Sequence, residues 1–93
     1  MSLVFIIPGP LRELAGNRSE VRVKSSAESA SKALALLWAE CPGVRDRVVT
    51  EVGKVRPHVN IFIDGEDIRY TGGLASPVRD GAEIVILPAV SGG

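Results

Sequence analysis

One stretch restricts the architecture of this chain more than any other. Ala30, Ala33, Leu34, Leu37, Trp38 and Cys41 recur at spacings of three and four, which sets them on one stripe of an α-helix. Ser29, Ser31, Lys32 and Glu40 fall mostly on the other side. Ser25 and Glu28 stand at the capping-box spacing and mark the expected start of the helix, and Pro42-Gly43 marks its end. A helix with a single apolar stripe has to lay that stripe on another layer, and the rest of the chain is patterned for strands. The expected architecture is therefore a two-layer α+β domain.

The strands follow from their periods. Leu3 to Ile7 is a continuous apolar run, the pattern of a strand buried on both faces, and Pro8-Gly9-Pro10 closes it. Leu11 to Asn17 reads as a loop or single turn anchored by Leu11 and Leu14. Glu20 to Lys24 alternates, with Val21 and Val23 facing inward, and should form the first hairpin with the preceding strand. After the helix, Val44, Val48, Val49 and Val52 suit a short helical turn over the sheet edge, while Gly53 and Pro57 suit a loop. His58 to Ile63 resumes alternation, Asp64-Gly65 is a tight-turn signal, and Glu66 to Tyr70 should return as a short strand. Thr71-Gly72-Gly73 turns the chain, and Asp80-Gly81 leads into a last strand, Ala82 to Leu87, expected in the core.

Ninety-three residues suffice for one domain, which at this size buries roughly 60 to 70% of its unfolded surface. Eleven basic residues balance eleven acidic ones, so no global field favours nucleic acid or an anionic membrane. A single cysteine rules out an internal disulfide and suits a reducing compartment. The apolar N-terminal run lacks a basic leader and is cut by Pro8-Gly9-Pro10, so it does not read as a signal peptide. No run reaches the roughly 18 apolar residues needed to span a bilayer. The expectation is a soluble, cytoplasmic domain over residues 1–87, followed by a flexible tail over 88–93.

That tail, Pro88-Ala89-Val90-Ser91-Gly92-Gly93, is where chemistry is expected. Pro88 lacks an amide donor and should withdraw from a central ladder. Six extended residues reach roughly 20 Å, and the two glycines can enter a channel where a Cβ would collide. Gly93 then offers a carboxylate on a movable arm, as a handle for chemistry done by another protein. The bland alternative is a frayed terminus.

Together these residues carry a resemblance. The run Val59 to Tyr70, then Gly73-Leu74, Pro77, Asp80-Gly81 and Ile86-Leu87-Pro88-Ala89-Val90-Ser91-Gly92-Gly93, resembles the MoaD/ThiS family of ubiquitin-like sulfur carriers, and within it the CysO branch. The resemblance implies a β-grasp fold, a mixed sheet of four to five strands with one main helix on one face and with the first and last strands as parallel neighbours. It implies that an activating enzyme adenylates Gly93 with ATP and magnesium, and that sulfur displaces AMP to leave a thiocarboxylate. Val90, Ser91, Gly92 and Gly93 would thread into partner enzymes. The implied acceptor is a pyridoxal-phosphate cysteine synthase, so the chain binds no cofactor itself and acts as a co-substrate rather than an enzyme. Small subunits of molybdopterin synthase commonly carry an aromatic and two prolines before the valine. Here the residues are Leu87, Pro88 and Ala89, which favours the CysO branch, and Ser91 stands where Ala is common. The molybdopterin synthase small subunit and a lysine-linked protein modifier are the alternatives.

Other residues weigh less. Cys41 sits on the apolar stripe and reads as a buried, inert thiol. His58 lacks a nearby second ligand for a metal. Asp64, Glu66 and Asp67 read as a solvated turn. Phe62 shares with Asn60 the face opposite Val59, Ile61 and Ile63, either as filler or as part of a docking patch with Tyr70 and Leu74. Arg45, Arg47, Lys54 and Arg56 cluster around the middle loop, which suits solvation or an acidic partner.

Overall fold

The computed structural model describes residues 2–88. Leu3–Ile6 (β1) and Glu20–Val23 (β2) pair antiparallel, with Phe5 opposite Val21 and Leu3 opposite Val23. Between them lie a helical turn at Gly9–Arg12 (α1) and a 3-10 turn at Glu13–Ala15. The main helix is Ala30–Glu40 (α2), and a second one, Pro42–Val48 (α3), follows directly. Val59–Ile63 (β3), Glu66–Asp67 (β4) and Glu83–Pro88 (β5) complete a five-stranded mixed sheet in the order β2-β1-β5-β3-β4. As expected, the first and last strands run parallel at its centre, Phe5 beside Ile84, while β5 meets β3 antiparallel with Ile86 opposite Ile61. This is the β-grasp arrangement.

Alternation sorts the strands into two faces. Leu3, Phe5, Val21, Val59, Ile61, Ile84 and Ile86 point to the helical layer and are buried. They meet Ala30, Ala33, Leu34 and Leu37 from α2 and Val44 and Val48 from α3 in one core. Asp64 and Gly65 both take positive φ, 49° and 86°, the backbone that a two-residue hairpin needs to match strand twist. The Asp64 carboxylate also accepts the Glu83 amide at 2.9 Å, tying that turn to the start of β5.

Several details depart from the sequence reading. Val4 and Ile6 are only half-buried, so β1 is covered on one face rather than two. The helix is capped by Ser29, whose Oγ accepts the Lys32 amide at 3.3 Å, and not by Ser25. Tertiary bonds set that start: the Ala30 amide donates to the Ser76 carbonyl and the Val78 amide to the Glu28 carbonyl, on either side of the extended cap residue Ser29. Pro42-Gly43 ends α2 but also opens α3, since proline suits a first helical position. Val44, Val48 and Val49 cover the core as expected, whereas Val52 is 79% exposed in the loop between the bridged Val49 and Val55. Leu11 is an anchor, but Leu14 is 37% exposed and rests against Gly43, and the small Ala15 takes the inward position. The return strand stops at Asp67, whose Oδ1 accepts the Arg69 amide at 2.9 Å and starts a 3-10 turn over Ile68–Tyr70 that buries Ile68.

Pro88 does not withdraw from the sheet. It holds register opposite Val59. The Val59 amide donates to Arg56 and its carbonyl accepts from Arg69, so the backbone groups of Val59 are engaged on the side away from β5. At that position a missing donor leaves no ladder group orphaned.

Candidate functional site

The site is built around the C-terminal end of β5. This strand is flanked on both sides over Glu83 to Val85, and its last residues, Leu87 and Pro88, are held by the ladder with β3. At that end Val59 lies opposite Pro88, and the loop Arg56-Pro57-His58 leads into Val59. The expected threading residues Val90, Ser91, Gly92 and Gly93 lie outside the described residues, as does Ala89.

Two surfaces adjoin this exit. The first is the sheet face that carries no helices. Register places Val4, Ile6, Val85 and Phe62 across its middle in successive strands: Ile6 beside Val85, and Val85 opposite Phe62. Leu87, 44% exposed, stands opposite Asn60 one step before Pro88. Charged residues frame this strip, with Glu20 opposite Ile6, Arg22 opposite Val4 and Asp67 opposite Phe62. An apolar centre with a polar rim is the usual anatomy of a surface that a partner covers.

The second surface lies on the helical side of β3. A cavity of about 300 Å³ opens there between the 54–57 loop and the Ile68–Tyr70 turn. Its lining is mostly apolar, with Val55, Val59, Ile61, Ile68 and Leu74, and Lys54, Arg56 and Arg69 stand at its rim.

The expected docking residues are thus distributed rather than assembled into one patch. Phe62 belongs to the open sheet face, with Asn60, as its period indicated. Leu74 lies on the other side, packed against the core and lining the cavity. Tyr70 is 87% exposed at the end of its 3-10 turn. Sequence reasoning missed Val4, Ile6, Val85 and Leu87 as companions of Phe62. The available signal was the alternation of β1 and β5, whose off-core positions are also apolar.

The remaining candidates have structural accounts. Cys41 is buried, and Arg18 Nη2 donates to its sulfur at 3.2 Å while Arg18 Nε donates to the Ala15 carbonyl at 2.8 Å, joining the end of α2 to the turn after α1. His58 is exposed and shares a shallow depression with Asp46, Arg47 and Arg56. Asp64 and Asp67 spend carboxylate oxygens on backbone amides, the structural role of a turn. Among the described residues, no group of His, Cys, Asp and Glu is placed to hold a metal ion, and no helix is long and apolar enough to cross a membrane.

A β-grasp body whose doubly flanked last strand leads into a small-residue, diglycine-ended tail defines the class of ubiquitin-like carriers. Residues 5–93 match the model of the ThiS family, and the chain belongs to that family. It is 35% identical over 95 aligned positions to the sulfur carrier protein CysO of Mycobacterium tuberculosis, with all of both chains covered. The structure superposes on that of the Amycolatopsis orientalis BexX/CysO complex with a TM-score of 0.86, at 31% identity and covering 98% of this chain and 99% of the other. It matches Haloferax volcanii SAMP1 with a TM-score of 0.84, at 29% identity over the whole of both chains.

Proposed function

We propose that this protein carries sulfur as a thiocarboxylate on Gly93 and delivers it to cysteine synthesis. The observation that carries the reading is the full-length likeness to CysO sulfur carriers of a chain that keeps a Ser91-Gly92-Gly93 end beyond its central strand. A carboxylate is a poor acyl donor. In the proposed reaction a Gly93 carboxylate oxygen attacks the α-phosphorus of ATP on a partner enzyme, releasing pyrophosphate and leaving an acyl adenylate. Hydrosulfide delivered by a sulfur donor then attacks the acyl carbon, the bond to AMP breaks and AMP leaves, and loss of the proton gives the thiocarboxylate, a soft nucleophile. Glycine at positions 92 and 93 leaves the acyl carbon unhindered. The chain's own contribution is to present this group, and the proton and phosphate chemistry, with its magnesium, belongs to the partner.

The open sheet face, with Phe62, Val85 and Leu87, is the proposed docking surface for that partner, because it extends to Leu87, one residue before the end of β5. Tyr70 adds an exposed aromatic beyond its edge. The proposed acceptor is a pyridoxal-phosphate cysteine synthase, entered by Val90 to Gly93. Likeness to SAMP1 of Haloferax volcanii, and 32% identity to small archaeal modifier protein 3 of the same organism, favour a second reading in which Gly93 is joined to lysines of other proteins.

Intact-mass analysis after incubation with a cognate adenylating enzyme, ATP and a sulfur donor is the test. Replacement of one terminal oxygen by sulfur is the expected result. Unchanged mass with the activator present would remove the carrier reading, and isopeptide adducts in vivo would favour the modifier.

A further inference from the structure

The cavity on the helical side of β3 is not used by the open-face docking described above, yet it lies against the same end of the sheet. Val59 lines it and is the residue opposite Pro88. Its volume, about 300 Å³, is at the lower limit for ligand pockets, room for one large apolar side chain rather than for a cofactor. Val55, Ile61, Ile68 and Leu74 supply an apolar floor. Leu74 also borders a neighbouring depression lined by Leu34, Trp38 and Val49, so the apolar strip continues along α2.

Charge selects the occupant. Lys54, Arg56 and Arg69 stand at the rim against one carboxylate, Asp67. Asp67 Oδ1 already accepts the Arg69 amide. Arg69 is held in place, its Nη2 donating to the carbonyls of Pro57 and Val59 at 3.3 and 3.2 Å. Arg56 is held likewise by the Asp46 carbonyl at 2.8 Å. Among the described residues, none of the ion pairs involves Lys54, Arg56 or Arg69. The chain as a whole is neutral, so this excess of positive charge belongs to the patch and not to the composition. Two arginines pinned by backbone carbonyls beside a small apolar hole form a preorganised receptor for negative charge flanking an apolar anchor.

We infer that this cavity receives an acidic segment of the tail-activating partner, with one leucine-sized or aromatic side chain seated between Ile68 and Leu74 and carboxylates at Lys54, Arg56 and Arg69. The identity of that partner rests on the sulfur-carrier reading, while the recognition chemistry does not. It gives the partner a second hold on the opposite side of β3 from the open face, close to the point where the tail leaves.

Nuclear magnetic resonance on the labelled full chain tests it directly. The probe is the blocked peptide Asp-Glu-Leu-Glu-Asp, with Lys-Lys-Leu-Lys-Lys as the control. The acidic peptide is expected to shift Val55, Ile61, Ile68 and Leu74 and to bind about fivefold more weakly to Lys54→Glu, a change at an exposed side chain that leaves the fold intact. No shift at these residues, or equal binding of the lysine peptide, would overturn the inference. Deleting residues 89–93 supplies a further arm. If that deletion alone moves the cavity resonances, the chain's own tail occupies the site and the proposal is wrong. The thiocarboxylate assay on the unaltered chain is a separate readout, so failure of the peptide to bind and failure of sulfur loading are told apart.

Discussion

The two faces of the sheet are made of nearly the same amino acids and meet opposite fates. On the helical side, Phe5, Ile61, Ile84 and Ile86 are sealed under α2 and α3. On the other side, Val4, Ile6, Phe62 and Val85 are half-buried and Leu87 is exposed. A sheet needs one apolar face to fold. The second is surplus to stability, and apolar surface retained without a covering layer points to a role in contact with another molecule. The first face holds the body together, and the second is available for what the body does.

That contrast can be broken experimentally. Phe5→Ala should cost about 3 to 5 kcal/mol in denaturant unfolding, because it opens a cavity in a sealed core. Leu37→Ala should cost about 2 to 5 kcal/mol, and a loss below about 1 kcal/mol would mean that α2 is not the lid of the core. Phe62→Ala is the matching change on the open face and should cost only about 1 kcal/mol, since much of the ring is already wet. If it proved as costly as Phe5→Ala, the open face would be core in all but name. Leu87→Glu should leave stability within about 0.5 kcal/mol, as for an exposed site, and raise the KM of the carrier in the adenylation reaction. An unchanged KM would remove Leu87 from the docking surface. Deleting Gly92-Gly93 should change stability by a few tenths of a kcal/mol at most while abolishing thiocarboxylate formation. A clear loss of stability would show that the end is packed.

How far these features could be read in advance depended on what determines them. Strands β3 and β5 and the stripe of α2 were legible because alternation and the three-and-four spacing are set by local geometry and one core. The helix start was misplaced because Ser25 and Ser29 are both good caps, and the choice is made by backbone bonds from residues 76 and 78, far away in sequence. Leu3 to Ile7 misled for a different reason. A doubly apolar strand reads the same whether its second face is covered by the chain or left for another molecule, and only three dimensions separate the cases. Pro88 was expected to leave the ladder because its neighbour's bonding could not be seen. The role proposed for Gly93 rests on residue type and the family likeness rather than on packing, and Gly93 lies outside the described residues. The cavity between Leu74 and Ile68 gave no sequence signal at all, because it forms where a loop, a turn and a strand edge happen to meet.

The parallel pairing of β1 with β5 has a consequence for how the protein comes into being. The first strand leaves the ribosome with an edge that only the last strand can fill, and the contacts that fill it span almost the entire chain. Synthesis stopped before Glu83 deprives the product of its central strand. An aborted polypeptide is therefore left with open strand edges on β1 and β3, the kind of edge that invites pairing with other chains.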